Sequence, residues 1–433
     1  MQSNTHNRLK RGIAVTETKL YIEGGRKISG SIRVHGAKNS VLPVLAATLL
    51  SGGVCRIDNC PALSDVFSSC RILSSLGCKC RREGSSVVID ATSISDYEIS
   101  EQLMREMRSS IVFLGAILGR LRRCRLSFPG GCELGPRPID IHLSSLRRLG
   151  AKIYEDHGVL DCTLAGAVTG ADITLPLPSV GATENIMLAA AIGTGETIIR
   201  NAAREPEIVD LAGFLNACGA DISGQGTSTV VIRGVPALHG AHYSVMPDRI
   251  VAATYMGAAA ITGGELMLEG VRPADVHSTV SVFEQMGCNV YPYSDRIYIS
   301  AKKPLTAIKT VRTMPYPGFP TDCQPIVMAA LCKARGTSMI VENIFENRFR
   351  AAPELRRLGA DIKAEGKVAV IEGVNRLSGA AVVATDLRAG AALVLGGLAA
   401  EGTTTVSNIH YIDRGYESIE TALRSIGAKI KRL

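Results

Sequence analysis

LGCKC (residues 76–80), LGAKI (149–153), CGADI (218–222), MGCNV (286–290), LGADI (358–362) and IGAKI (426–430) are variants of one pentapeptide: apolar, Gly, small, polar, apolar. Their glycines are spaced 73, 69, 68, 72 and 68 residues apart, too regular for chance. Fixed-period self-similarity is the mark of a repeated supersecondary unit. A helical pattern precedes each glycine, as in EPEIVDLAGFLNACG (205–219) and NRFRAAPELRRLG (347–359). Apolar residues recur there at three- and four-residue spacing, and the glycine offers a left-handed helix stop. The first copy is the least regular, with Cys80 where the others carry Ile or Val.

A second signature lies upstream of most of these helices: Gly, a few strand residues, then Asn. It reads GGVCRIDN (52–59), GETIIRN (195–201), GTSMIVEN (336–343) and GTTTVSN (402–408), while GGELMLEG (263–270) has Gly in the Asn position. Between units run helices rich in small apolar residues, such as SVLPVLAATLLSG, TENIMLAAAIGTG, VAATYMGAAAITGG and GAALVLGGLAAEG. A helix apolar all round is buried on every side. Six α/β units of about 70 residues predict a two-lobed body with three units per lobe around buried helices. A cleft between lobes is the natural ligand site. No GxGxxG follows a strand and no GxxxxGK[ST] occurs, which argues against Rossmann and P-loop nucleotide sites.

Composition narrows the function classes. At 433 residues the chain exceeds one ordinary core. Aromatics make up 4% and Trp is absent, so base-stacking platforms are scarce. The one dense basic run, RLRRCRL (120–126), reads as a charged edge strand, and no nucleic-acid partner is expected. A net charge of +8 suits a small anionic ligand. Twelve cysteines show a Cys-x-Cys at Cys78 and Cys80 but no zinc-type or disulfide spacing, and all except Cys132 read as reduced apolar thiols. The polar start MQSNTHNRLKRG has no apolar segment behind it and reads as a frayed extension of about 17 residues. Val41 to Leu50 is too short to cross a bilayer, so no membrane partner and a cytoplasmic location are expected.

Candidate chemistry lies where charge meets glycine or a helix start. GAKNS (36–40) places Lys38 and Asn39 before an apolar helix, a phosphate-binding arrangement. Arg108, Arg348, Arg388 and Arg414 flank apolar elements, and several fixed cations around one cleft call for a phosphate and a carboxylate. FPTDCQP (319–325) sets Asp322 between prolines, either as a helix cap or as a general base. PDRI (247–250) carries Asp248 and Arg249, a structural hinge pair. FPGGCELGPRPIDIH (128–142) holds Cys132 after two glycines, with Arg137, Asp140 and His142 nearby.

Taken in order, GAKNS, MRSSIVFLG, FPGGCELGPRPIDIH, SVGATENIM, NAAREPEIVD, PDRI, FPTDCQP, FENRF, TDLRAG and HYIDRGYE resemble the UDP-N-acetylglucosamine enolpyruvyl transferase family from about Lys19 to Lys431. The resemblance implies a two-lobed inside-out α/β barrel. Residues 1–38 and 247–433 would form one lobe and residues 39–246 the other, which carries Cys132. It implies transfer of the enolpyruvyl group of phosphoenolpyruvate to the 3′-hydroxyl of UDP-N-acetylglucosamine, with release of phosphate by addition and elimination. That reaction is the first committed step of peptidoglycan synthesis. No metal or organic cofactor is implied. Cys132 resembles the family's general acid toward C3 of the enolpyruvate, on a loop that Gly130 and Gly131 let close. Cationic neighbours favour the thiolate, which fits alkylation by the epoxide fosfomycin, and an anionic substrate would restore the protonated acid. The match also implies phosphoenolpyruvate contacts from Lys38, Asn39, Arg137, Arg388 and Arg414. Nucleotide-sugar contacts would come from Arg108, Arg137, Pro138, Ile139, Asp140, Ile141, Ser179, Val180, Gly181 and Ile344. Asp322 would take the 3′-hydroxyl proton, Asp386 would be a second catalytic-site carboxylate, and His142 would order the loop.

Three positions depart from the family pattern: Val251 in place of Glu, Leu177 in place of a lysine near the uridine, and Arg350–Ala351 in place of Met-His. They bear on affinity, hinge behaviour and nucleotide selectivity. The rival 5-enolpyruvylshikimate-3-phosphate synthases share the expected fold and the phosphoenolpyruvate chemistry. They lack the cysteine loop and read Lys-Ser at Lys38–Asn39. The alternative from another class is a catalytically retired paralogue that binds UDP-N-acetylglucosamine.

Overall fold

The computed structural model describes residues 18–129 and 139–433. All six pentapeptide glycines adopt left-handed backbone, with φ between 91° and 101°. Each is followed by an amide that reaches back five residues, from Cys78, Ala151, Ala220, Cys288, Ala360 and Ala428 to the carbonyls of Leu73, Leu146, Leu215, Phe283, Leu355 and Leu423. This pairing closes the helix end with glycine in the position where a Cβ would be strained. The upstream signature has the same cause. Asn59, Asn201 and Asn408 are left-handed at φ 51°, 55° and 56°, and Gly270 takes φ 65° in its copy. Asn tolerates that region better than other side-chain-bearing residues, and Gly replaces it at no cost. Asn343 is the exception: it has no positive φ and bonds Thr313 through both its amide and its side chain.

The units build six four-stranded sheets among the described residues. In the first unit, β3 (Val54–Asp58) enters helix α2 (Ser64–Ser75), and the chain returns through β4 (Lys79–Glu83) and β5 (Ser86–Asp90). The sheet runs β4-β5-β3, antiparallel throughout, and a parallel outer strand His242–Ser244 arrives from much later in the chain. Two further units also borrow distant strands. β1 (Leu20–Glu23) takes the third place in the sheet of Thr403–Ser407 and Lys429–Arg432, and β2 (Ser29–Arg33) lies parallel to Glu265–Glu269.

Two separate buried cores result. One is built from residues between Leu20 and Val34 and between Ile250 and Ile430, the other from residues between Val41 and Val245. Each encloses three nearly all-buried helices. These are α1 (Lys38–Ala47), Phe113–Leu121 and Val180–Ala190 in one, and Arg249–Thr262, Gln324–Leu331 and Leu387–Ala399 in the other. Small residues let these helices touch closely. A Cβ on Gly257 would lie 2.6 Å from the Ile326 side chain. Truncating a large residue in such a core costs about 2–5 kcal/mol.

The chain crosses between cores twice, and the two crossings are paired. The Ala37 amide bonds the Met246 carbonyl at 2.7 Å and the Asp248 amide bonds the His35 carbonyl at 2.9 Å. Gly36 sits where a Cβ would fall 1.8 Å from the Asn59 carbonyl oxygen, so the glycine of GAKNS is required by packing. No helix of the described residues is long and apolar enough to cross a membrane.

Candidate active site

Starts of the buried helices meet where the two crossings leave the cores. Lys38 opens α1, Arg249 opens its helix, and Arg388 lies one residue inside the start of Leu387–Ala399. Cations are unfavourable at helix N-termini, so each needs a carboxylate partner. Two of those helices are capped by Asp. Asp248 accepts the amides of Ile250 and Val251, and Asp386 accepts those of Arg388 and Ala389 at 2.9 and 3.0 Å. The second oxygen of Asp248 takes the Lys38 amide at 3.0 Å, which ties the crossings together. Asp386, expected as a catalytic-site carboxylate, is placed as this cap.

Lys38 Nζ lies 3.0 Å from Asp65 Oδ2. Arg414 from the opposite core grips the same carboxylate through Nε at 2.9 Å and Nη2 at 3.1 Å. Asp65 is in the first turn of α2, and its side chain is only 3% exposed. Burial alone would push its carboxyl up, but Lys38 and Arg414 outweigh it and hold the pKa below the ordinary value. Sequence reasoning missed Asp65. No glycine or proline marks it, and its partner is 349 residues away.

Asp322 lies in a short 3-10 turn ahead of Gln324–Leu331 and does not cap that helix, which has no side-chain cap. Its carboxylate accepts from Arg348 Nη2 at 2.8 Å and pairs with Arg388 Nη2 at 3.3 Å. Both arginines are buried, with side chains 1% and 3% exposed, whereas Asp322 is 28% exposed. Arg348 also donates twice to the Thr321 carbonyl. Arg388 leans on the Tyr416 hydroxyl, which in turn meets the Thr254 hydroxyl at 2.8 Å. The buried Glu342, also missed from the sequence, accepts the hydroxyls of Thr313 and Thr321 and the amides of Ile344 and Phe345. It thereby links the half-exposed Ile344 to the turn that carries Asp322.

A third cluster forms around His142. Its ring lies against Gly181, where a Cβ would be 2.7 Å away, and its Nδ1 meets the Asn185 side-chain amide at 2.9 Å. Burial, with Arg108 adding to it, lowers the His142 pKa to about 4. The ring is therefore neutral near pH 7 and adds no positive charge. Ser179 caps the helix Val180–Ala190 by accepting the Ala182 amide. Arg108, Ile139, Asp140, Ile141 and Ser179 to Gly181 are thus gathered at one end of the second core. Asn39 follows Lys38 in the first turn of α1. Cys132, Arg137 and Pro138 lie outside the described residues.

The hinge pair expected at Asp248–Arg249 extends into an acidic cluster between the cores. Arg249 Nε bonds Glu207 Oε1 at 2.9 Å, and its guanidinium lies 5.7 Å from the centre of the Tyr316 ring. Glu205 accepts the Tyr316 amide. Burial, then the charges of Glu207 and Glu205, raise the Glu184 pKa to about 8. Of the three departures, Val251 and Ala351 are fully buried in the first core, and Leu177 is exposed. Among the described residues, no group of three or more His, Cys, Asp or Glu could hold a metal ion.

Comparison with known proteins gives the family and the fold. The EPSP synthase family (3-phosphoshikimate 1-carboxyvinyltransferase) matches residues 22–423. A UDP-N-acetylglucosamine 1-carboxyvinyltransferase 2 of Caldanaerobacter subterraneus subsp. tengcongensis is 52% identical over 415 residues, covering 96% of this chain and 99% of the relative. A UDP-N-acetylglucosamine 1-carboxyvinyltransferase 1 of Symbiobacterium thermophilum is 47% identical over 420 residues, covering 96% and 95%. Among solved structures, the enolpyruvyl transferase NikO from Streptomyces tendae superposes with a TM-score of 0.86 at 28% identity, covering 96% of this chain and 99% of that one. An EPSP synthase from Acinetobacter baumannii gives 0.75 at 20% identity, covering 96% and 100%, a likeness of fold.

Proposed function

From the premise that this chain belongs to the EPSP synthase family of enolpyruvyl transferases, among the UDP-N-acetylglucosamine 1-carboxyvinyltransferases, we propose how its residues divide the work. The protein transfers an enolpyruvyl group to UDP-N-acetylglucosamine. The donor in our reading is phosphoenolpyruvate. The 3′-hydroxyl adds to C2 while C3 gains a proton, and the tetrahedral adduct then expels phosphate. The reaction would open peptidoglycan synthesis in the cytoplasm.

The observation that carries this reading is the pair of clamped carboxylates, Asp322 within one core and Asp65 across the junction. Asp322 is exposed enough to reach a hydroxyl, and Arg348 and Arg388 fix its oxygens, so it is our general base. Arg388, expected to hold the substrate carboxylate, is buried beneath Asp322, and we assign it to positioning. Lys38 and the 31%-exposed Arg414 are the cations an incoming phosphate can meet. Asp65, in the lobe of residues 39–246, ties both of them to that lobe, with the lobes bounded in our reading at residues 38/39 and 246/247. Cys132 is our acid toward C3, and Arg137 adds charge for the phosphate. Arg108, Ile139 to Ile141, Ser179 to Gly181 and Ile344 form the nucleotide-sugar side.

The test is phosphate release by wild type and Cys132→Ala with phosphoenolpyruvate and each acceptor. Release with UDP-N-acetylglucosamine, lost in Cys132→Ala, is expected. Release with shikimate 3-phosphate in its place, or with neither acceptor, would overturn the reading.

A further inference from the structure

The transfer reaction draws Arg414 from the motif HYIDRGYE (410–417) and leaves Glu417 without a part. Glu417 follows Tyr416, which is buried in one core, yet its carboxylate meets the other. Its Oε1 accepts the Ala62 amide, and the same oxygen lies 4.0 Å from Arg82 Nη2. Ala62 lies three residues before Asp65, as Arg414 lies three before Glu417. The two segments therefore meet twice with reversed polarity. Arg414 donates to Asp65, and Glu417 accepts from Ala62.

Both sides of the second contact are firmly seated. The Tyr416 hydroxyl meets that of Thr254 at 2.8 Å inside its core. Across the junction, the turn at residues 59–63 is held from three directions. The Asn59 side-chain amide donates to the Val245 carbonyl at 2.9 Å, and the Cys60 amide donates to the Ser85 carbonyl at 2.7 Å. Arg82 donates to the carbonyls of Cys60 at 2.7 Å and Pro61 at 3.4 Å. Leu63 closes the turn with a fully buried side chain. The Ala62 amide is thus a fixed donor just ahead of α2, the helix that carries Asp65.

We propose that Glu417 is a positioning residue, a latch that registers the two cores so that Arg414 is delivered to the phosphate side of the site. The role rests on the proposed transfer reaction, while the contact itself does not. Lys38 and Arg414 are both held by Asp65, and an incoming phosphate competes with that carboxylate for them. A join made through Asp65 alone would slacken as substrate binds. The bond from Ala62 to Glu417 uses neither cation, so it keeps the cores in register while both turn to the phosphate.

The Ala62 amide, rather than Arg82, carries the latch. A hydrogen bond from a fixed amide to a carboxylate is charge-assisted and strong. The Arg82–Glu417 pair is long, and its side chains are 25% and 38% exposed, so solvent screens it and it adds little. A side chain that keeps an acceptor oxygen without the charge should therefore serve. Small misplacements of a site can cost rate steeply, which makes loss of the latch visible in turnover.

The experiment compares full-length wild type, Glu417→Gln and Glu417→Ala in three ways. These are thermal melting, small-angle X-ray scattering without ligand, and phosphate release over a range of phosphoenolpyruvate at saturating UDP-N-acetylglucosamine. Glu417 is partly exposed, so the three proteins should melt together. In Glu417→Ala, kcat/KM for phosphoenolpyruvate should fall at least ~10-fold and the radius of gyration should rise. Glu417→Gln should return kcat/KM to within ~3-fold of wild type and restore the compact form. Wild-type kcat/KM in Glu417→Ala, or an unchanged radius of gyration, would overturn the latch, as would a rate loss that follows a lowered melting temperature. Equal losses in both variants would overturn the assignment to the Ala62 amide. Should wild type release no phosphate while Glu417→Ala still scatters as a larger particle, the transfer reaction fails and the contact between the cores stands.

Discussion

Asp65 and Asp322 come from different cores, and each carboxylate is gripped by two cations, yet the two grips differ in origin and exposure. The arginines on Asp322 belong to its own core, Arg348 from the loop before the helix Ala351–Arg357 and Arg388 from the start of a buried helix. The cations on Asp65 span the junction, with Lys38 at the crossing and Arg414 from the opposite core. Asp322 keeps a solvent-facing edge and Asp65 has almost none. A carboxylate clamped from below and open above can exchange a proton with a ligand. One sealed on all sides can only hold its partners in place. Clamped carboxylates of similar make can therefore carry different roles, and exposure separates them.

The largest effect should come from the open carboxylate. Asp322→Asn keeps the shape and hydrogen-bonding capacity but removes the base, so turnover should fall by ~10²–10⁴ while the fold is retained. Steady-state kinetics with thermal melts would show it, and a rate near wild type would end the distinction between the two sites. Asp65→Asn should act differently. Leaving two cations facing a neutral amide at a buried site costs about 3 kcal/mol, so the melting temperature should drop and the KM for phosphoenolpyruvate should rise more than kcat falls. A pure kcat loss with unchanged melting would mean that Asp65 does chemistry.

The acidic cluster sharpens the comparison through pH. The folded pKa of Glu184, about 8, lies above its ordinary 4.5. The neutral form is thus favoured by folding. Its contribution is fully present below about pH 4.5 and is lost as pH rises through about 8. Glu184→Gln should therefore flatten the decline in melting temperature between pH 5 and 8. Parallel wild-type and variant curves would show that this glutamate ionises freely in the fold. The smallest effect is expected far from both carboxylates. Asn201→Gly and Asn408→Gly, one in each core, replace left-handed Asn by Gly. Denaturant midpoints should put both within about 0.5 kcal/mol of wild type.

The repeat was legible in the sequence because it is local. Six glycines with one backbone conformation leave the same mark six times, and the buried helices announce themselves by being apolar all round. The exchange of strands was not legible. Nothing in Leu20–Glu23 says that it completes the sheet of the C-terminal unit, because that pairing is set by a gap hundreds of residues away. The site divides the same way. Lys38, Arg388, Arg414 and Asp322 stood out beside glycine or proline, while Asp65 and Glu342 sit inside ordinary helical and strand patterns and acquire meaning only from distant partners. Asp386 and Asp248 were visible as acids, but their work as helix caps needed backbone geometry.

The central claim is that Asp322 acts as the base within an assembled two-lobed site. It is tested most directly by measuring phosphate release and UDP-N-acetylglucosamine affinity together on Asp322→Asn. The account predicts release at least ~100-fold slower than wild type with an unchanged dissociation constant. Release within a few-fold of wild type, or loss of rate that merely tracks loss of binding, would contradict it.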